Sequence, residues 1–144
     1  MTTPANATPR RTLRSVFLMA CWLFFASLVV QVYLAGRFIF GAVPDNSQHI
    51  DFGYTVVHGL ALVVLLMSLF LQAGKIIPIA AAVQFFVAFM MPQLAVASNP
   101  DAQALHPVAA VLLVGLSLFM AERAWSLVPD FLFKTGPTTS ADST

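Results

Sequence analysis

The side chains in this sequence that could do chemistry are three histidines and two glutamines. They are His49, His58, His106, Gln31 and Gln84. A neutral imidazole is a good ligand for a metal ion or a heme iron, and a side-chain amide can hydrogen-bond the polar end of a buried ligand. His58 lies in the charge-free run from Phe52 to Gly74, where no water is present to solvate it. Polar groups in such surroundings are costly and mark either a ligand site or a contact between helices.

One ligand hypothesis is a b-type heme with His58 and His106 as its axial iron ligands. Arg37 could then contact a heme propionate, and small residues such as Gly59 would leave room for the porphyrin. A heme whose axis lies in the membrane plane needs ligands at similar depth. The sequence places His58 roughly 8 Å below the outer surface and His106 at the outer rim, which counts against this pair.

Two other ligands are compatible with these residue types. A metal ion could bind His49, Asp51, His58 and His106, although their spacing matches no compact ligand motif. A quinone or other apolar ligand could lie between the helices instead.

In the quinone hypothesis, the polar end of the ligand is hydrogen-bonded by Gln31, Tyr54 and His58. Phenylalanine and methionine side chains would line the rest of such a pocket. Most of the 13 phenylalanines are explained equally well by contact with lipid, so their number does not decide between the ligands.

The alternative assigns no ligand to the polar side chains. Gln, Ser and His form hydrogen bonds between membrane helices worth about 0.6 kcal/mol on average. The residues expected in such interhelical contacts are Gln84, Ser27, Ser68 and Ser117. His49 could be a solvated loop residue and His106 a helix cap. For His58, the sequence leaves the ligand and contact hypotheses open.

The composition places these residues in a membrane. Of the 144 residues, 59% are hydrophobic and 9% are charged, and the mean hydropathy is +0.85. Soluble domains carry about 25% charged residues, so this chain has too little polar surface for a globule in water. The net charge of +1 gives no basis for nucleic-acid binding. The single cysteine, Cys21, excludes an intrachain disulfide and is expected to be a small buried side chain.

Four hydrophobic runs are long enough to cross a bilayer, which takes roughly 20 helical residues. They predict an all-α fold: an antiparallel, up-down-up-down bundle of four transmembrane helices. The predicted transmembrane domain covers residues 13–128, between a disordered tail at 1–12 and a mostly disordered tail at 129–144. The predicted spans cover about residues 15–36, 52–73, 76–97 and 106–127.

Each predicted span carries its polar residues on one face. Alternating steps of three and four residues link Phe17 to Gln31, Tyr54 to Gln72, Ile77 to Met91, and His106 to Ala124. Lipid offers these polar groups no hydrogen-bond partner, so the four faces should meet inside the bundle. Pro92 should kink the third span, and Pro107 should lie in the first turn of the fourth.

Basic residues near the span ends predict the orientation. With the N-terminus inside, Arg37 is the only one of the seven basic residues outside the cytoplasm. The predicted cytoplasmic set is Arg10, Arg11, Arg14, Lys75, Arg123 and Lys134. Both termini are therefore expected in the cytoplasm, and all three histidines in the outer half of the protein.

The stretch Leu105–Val108, taken with Gln31, His58 and Gln84 on the first three spans, resembles an uncharacterised bacterial family of small four-span proteins. In that family the last helix opens with a Leu-His-Pro-Val-Asn-like motif; here Ala109 replaces the asparagine. The resemblance implies a four-helix fold in a bacterial plasma membrane and supplies no activity. A fainter likeness is to four-helix b-type cytochromes, whose histidine spacing does not transfer cleanly.

Two functions from different classes follow. One is a non-enzymatic accessory or structural subunit that contacts the lipid bilayer and other membrane subunits, or further copies of itself. The other is an electron-transfer protein holding heme b or a quinone at the outer-leaflet histidines. The hydrophobic runs contain no Asp, Glu or Lys, and no nucleophile or phosphate-binding motif is present. An enzyme acting alone is therefore not expected.

Overall fold

The computed structural model describes residues 7–71 and 73–128, with side chains from residue 10 onward. Its helices are α1 (Ala7–Ile39), α2 (Ser47–Phe52), α3 (His58–Phe70), α4 (Ile76–Ala95) and α5 (Pro100–Trp125). One π-helical turn, Gly53–Val57, joins α2 to α3 without a break. No strand occurs within those two ranges.

Four of the helical segments are long and apolar enough to cross a membrane, judged by length and composition. They are Arg10–Ile39, Ser47–Phe70, Ile76–Ala95 and Pro100–Trp125. At 1.5 Å per residue, a helix of about 20 residues matches the roughly 30 Å of a bilayer's hydrocarbon. The predicted all-helical fold with four spans is confirmed, and it is consistent with a multi-pass integral membrane protein.

The first two spans begin earlier than predicted. Helix α1 begins at Ala7, inside the tail expected to be disordered, and Pro9 falls in its first turn, where a missing amide breaks no helical hydrogen bond. The second span begins at Ser47 instead of residue 52, so His49 lies in a helix and not in a loop. Residues 1–6, 72 and 129–144 lie outside the described residues, so the predictions for them stay predictions.

The last helix also begins earlier than predicted, at Pro100 instead of His106. The side-chain oxygen of Asn99 accepts the backbone N–H of Asp101 at 2.9 Å and caps the helix, and proline occupies the first helical position. His106 therefore lies in the second turn of α5 and does not cap it. Pro107 is inside the helix and not in its first turn.

Glycine and aspartate shape two of the connections. Gly74 has φ 81° in the turn between the second and third spans, a backbone conformation that side chains disfavour. Before α2, the Ser47 amide donates to Asp45 Oδ1 at 2.9 Å. Hydrogen bonding from the Ser47 side chain and backbone holds the pKa of the exposed Asp45 carboxyl below its usual value.

The bundle core is made of a few large side chains and many small ones. Phe17 and Phe24 of α1 are fully buried, and five of the ten buried residues of α4 and α5 are alanines. Small residues let membrane helices approach closely. The predicted inward faces of the first, third and fourth spans are confirmed over most of their length: Phe17 to Ser27, Ile77 to Ala88 and Leu113 to Ala124 are buried at every predicted step. The remaining predicted steps, at Gln31, Met91, His106 and Ala110, are half-buried. Cys21 is a buried free thiol, as predicted.

The inward face of the second span differs from the prediction by one residue at its start, whereas Ala61 and Ser68 further along are buried as predicted. Gly53, Val57 and Ala61 are buried, whereas Tyr54, expected on the inward face, is 56% exposed. Steps of four residues exceed the 3.6 of an α-helix, and a π turn, with its i→i+5 hydrogen bond, takes up the extra residue. One further step of four residues, from Gly53 back towards the N-terminus, reaches His49, which is half-buried.

Candidate functional site

A polar cluster connects residues from all four spans. We use the name polar cluster for Gln31, His49, His106 and the backbone carbonyl of Met91. These groups belong to α1, α2, α5 and α4 respectively. The three side chains are each half-buried.

Gln31 and His49 are joined by reciprocal hydrogen bonds. The Nδ1 atom of His49 lies 3.1 Å from the Gln31 carbonyl oxygen, and the Gln31 side-chain amide donates to the His49 carbonyl oxygen at 2.9 Å. Because a carbonyl oxygen only accepts, the His49 proton is on Nδ1. Its Nε2 atom, 3.3 Å from Gln31 Nε2, is then an acceptor for the same amide.

His106 connects the other two spans. Its Nδ1–H donates to the Met91 carbonyl oxygen at 2.8 Å, which ties the second turn of α5 to the last turns of α4. The His106 ring lies 6.4 Å from the His49 ring, centroid to centroid, with the two planes at 66°. With the proton on Nδ1, His106 Nε2 is an acceptor, and no hydrogen bond within residues 10–71 and 73–128 uses it.

Gly53 gives Gln31 the space to reach α2. A Cβ atom built on Gly53 would lie 2.8 Å from Gln31 Nε2, closer than a Cβ carbon approaches another heavy atom in real structures, so the amide would have to shift. Gly53 is itself buried and begins the π turn. The other side-chain atom of this amide, Gln31 Oε1, is buried and has no hydrogen-bond partner among the described residues.

His58 belongs to a second group, which we call the edge group: Tyr54, His58 and Phe89. The Nδ1–H of His58 donates to the Gly53 carbonyl oxygen at 2.6 Å, within its own helix. Its ring stacks on Tyr54 at 5.3 Å and meets Phe89 of α4 edge-on at 6.3 Å. Tyr54 and Phe89 are 56% and 52% exposed, so His58 lies at the outer surface of the bundle.

The structure groups the histidines differently from the predicted heme pair and from the predicted metal set. It brings His106 to His49, and no hydrogen bond or ring contact among the described residues joins His106 to His58. Arg37, the predicted propionate contact, donates to Gln48 Oε1 at 2.9 Å. No three His, Cys, Asp or Glu side chains in the described ranges are placed to hold one metal ion, so the four-residue metal set does not assemble.

The predicted interhelical contacts of the three serines stay predictions, and the structure shows where their hydroxyls donate. Ser27, Ser68 and Ser117 are buried, but each hydroxyl donates to the carbonyl three residues earlier in its own helix, at 2.6–2.7 Å. A serine hydroxyl reaches that carbonyl without crossing between helices. Gln84 is 1% exposed, and its Oε1 atom has no partner among the residues described, so its predicted contact is not made through that oxygen.

Sequence reasoning missed two parts of the site. The Met91 carbonyl carries no sequence signal, because every residue has one and only the helix packing decides which one a histidine reaches. Gly53 did carry a signal: a glycine inside a helical run indicates close approach of another group. The partner of Arg37, Gln48, lay in a segment predicted to be a loop.

All three histidines present the same chemistry. Each donates Nδ1–H to a backbone carbonyl and so keeps Nε2 as an acceptor while neutral. The unpartnered atoms, Gln31 Oε1 and Gln84 Oε1, also accept. Such groups suit a hydrogen-bond donor, such as a quinol hydroxyl, or a cation; a quinone carbonyl would need donors.

Comparison of the chain with models of protein families, with curated proteins and with solved structures finds no match. The likeness of Leu105–Val108 to the small four-span family therefore stays a prediction from the sequence.

Proposed function

We propose that this chain is a non-enzymatic integral membrane protein that serves as an accessory or structural subunit of a larger membrane complex. The observation that supports this most is the polar cluster. Each of its two histidines donates Nδ1–H to a backbone carbonyl of another span. Such bonds stabilise helix packing in lipid without any ligand.

The outward faces of the spans support contact with lipid and with neighbouring subunits. Apolar side chains dominate these faces, among them Val111 and Leu112 of α5, which are 73% and 66% exposed. Both neighbouring subunits and further copies of this chain are compatible with such a surface. The proposed location is a bacterial plasma membrane, as the family resemblance implies.

We further propose that the four spans alternate in direction, with both termini in the cytoplasm. Contacts between span ends support the alternation: Arg14, near the start of α1, donates to the Leu127 carbonyl just after α5, at 3.4 Å. The Gln31–His49 bonds likewise join the last turns of α1 to the start of α2. The excess of basic residues at the proposed inner ends sets the orientation.

A deletion experiment tests the subunit proposal. If the chain stabilises a complex, deleting its gene should lower the amount of one defined membrane complex in blue-native gels, and re-expression should restore it. The complex should also co-purify with the tagged chain at fixed stoichiometry in mild detergent. Recovery of the chain only as a monomer, with every complex unchanged in the deletion, contradicts the proposal.

Cysteine labelling tests the orientation in the same cells. In a Cys21→Ala background, a membrane-impermeant maleimide should label Asp45→Cys in intact cells. It should label Lys75→Cys only after the cells are permeabilised. The reversed pattern contradicts cytoplasmic termini.

The edge group favours a second candidate function, an electron-transfer protein that binds a quinol or heme b. His58 Nε2 is an acceptor with no hydrogen-bond donor in the described part of the chain, and it lies at the surface of the bundle beside the exposed Tyr54 ring. A quinol hydroxyl arriving through the lipid could donate to it. For this candidate we expect purified protein to contain extractable quinone, or a reducible Soret band, that His58→Ala abolishes. A colourless, quinone-free preparation eliminates it.

A further inference from the structure

A cavity of about 100 Å³ lies between the start of α1 and the end of the second span. It is lined by Arg10, Leu13 and Arg14 of α1 and by Phe70 and Leu71. The two arginines are four residues apart and therefore project from the same side of α1. The lining therefore combines two positively charged residues with three apolar ones.

The positive charge in this cavity is not neutralised by the described part of the chain. No ion pair joins Arg10 or Arg14 to a carboxylate among residues 10–71 and 73–128. Arg14 is half-buried; one terminal nitrogen donates to the Leu127 carbonyl at 3.4 Å, a long bond. Its Nε–H is buried and has no acceptor among residues 10–71 and 73–128. An unsatisfied buried donor is costly, and arginine cannot escape the cost by losing its proton.

The apolar part of the wall continues onto the lipid-facing surface. Leu71 is 5% exposed and forms the closed side, whereas Phe70 is 71% exposed and faces outward. A molecule in the cavity could therefore place an anionic group against the arginines and an acyl chain along Phe70. Guanidinium groups match phosphate oxygens in geometry and charge.

We propose that this cavity binds a phosphate diester group, supplied by the headgroup of an anionic phospholipid in the surrounding leaflet. Arg10 and Arg14 contact the phosphate, and Arg14 Nε–H gains the acceptor it lacks. This site is at the opposite end of α1 from the polar cluster and is independent of the proposed function. The site would hold one specifically bound phospholipid, in addition to the non-specific lipid around the bundle.

The test uses the full chain, purified in detergent and titrated with phosphatidylglycerol, phosphatidylcholine or inorganic phosphate. Native mass spectrometry counts the lipids retained per folded chain, and size-exclusion chromatography confirms that each variant is folded. We expect wild-type protein to retain one phosphatidylglycerol in preference to phosphatidylcholine. Since a basic residue near an anionic lipid contributes about fivefold in affinity, the Arg10→Gln/Arg14→Gln variant should bind it about thirtyfold more weakly.

A charge-matched control variant distinguishes binding in the cavity from general electrostatic attraction between anionic lipid and the basic residues of the chain. The Lys75→Gln/Arg123→Gln variant removes two positive charges outside the cavity lining, near the same ends of the spans, and should keep the bound lipid. If the Arg10→Gln/Arg14→Gln variant is unfolded, the charge-conserving Arg10→Lys/Arg14→Lys variant replaces it and should bind more weakly than wild type. Equal retention by wild type and the cavity variant overturns the proposal. So does equal weakening by the control variant, or equally tight binding of inorganic phosphate without lipid.

Discussion

The Nδ1 atom of His106 lies 2.8 Å from the carbonyl oxygen of Met91, and this hydrogen bond crosses from α5 to α4 immediately before Pro92. The His106 ring also contacts the ring of His49, 6.4 Å away between centroids, and His49 is itself bonded to Gln31. A chain of polar contacts therefore runs through all four spans near the ends at which α1 and α4 finish. Removing one member should loosen the packing of more than one helix.

The first prediction concerns the donor role of His106. His106→Ala should lower the free energy of unfolding by about 1 kcal/mol, within the range measured for hydrogen bonds between membrane helices. His106→Asn should lower the free energy of unfolding by less, because an asparagine amide can place an N–H near the position of Nδ1. Reversible unfolding in mixed detergent and SDS micelles measures both. Equal losses for the two variants would show that the donor is not what matters at this position.

A second prediction uses the close approach of Gly53 and Gln31. Gly53→Ala should gain none of the roughly 1 kcal/mol that the helix propensity of alanine offers, because its Cβ would push the Gln31 amide from the His49 carbonyl and break that hydrogen bond. In a double-mutant cycle, the same change should stabilise the protein by up to about 1 kcal/mol when Gln31 is already alanine.

Gly59→Ala is the matched control for that cycle. Gly59 lies less than two turns after Gly53 in the same span, and a Cβ atom added there would have no neighbour within 4 Å. Alanine should be neutral there or stabilising by up to about 1 kcal/mol through its helix propensity. If Gly53→Ala and Gly59→Ala behave alike, the contact with Gln31 has no energetic weight.

The third prediction concerns the start of α5. Asn99→Ala should destabilise the protein by about 1 kcal/mol, because the Asp101 N–H would lose its side-chain acceptor. Asn99→Asp keeps an acceptor oxygen and should be close to neutral. Hydrogen exchange at the Asp101 amide gives a local readout: it should accelerate in the alanine variant alone. Unchanged exchange in Asn99→Ala would mean that the cap does not protect this amide.

The sequence could have predicted this helix start. Asparagine before proline, with aspartate next, is the pattern of an N-cap followed by proline at the first helical position. The predicted start at residue 106 is six residues later than the observed start at Pro100, and for that reason His106 was expected at the rim. Capping chemistry is local, and so it was available from the residues alone.

The π turn and the cross-helix partners could not be predicted in the same way. Heptad spacing from Tyr54 assumes a regular helix, and one extra residue in the turn at Gly53–Val57 moves the inward face to Val57. Similarly, spacing identified His106 as a residue that faces the bundle, but its acceptor depends on how α4 and α5 pack. Three of the four inward faces were predictable because burial follows helical periodicity, which needs no knowledge of the partner.

The last prediction concerns Gln84, which is 1% exposed with Oε1 unpartnered among the described residues. A buried acceptor without a donor costs about 1–3 kcal/mol, so Gln84→Leu, of similar size, should leave stability unchanged or raise it. Gln31→Leu is the matched comparison and should lower stability, because the Gln31 amide donates to His49. Unfolding in mixed micelles compares the two. A loss of more than about 1 kcal/mol in Gln84→Leu would mean that this oxygen has a donor after all, such as a buried water, and that its placement in the core is a stabilising one.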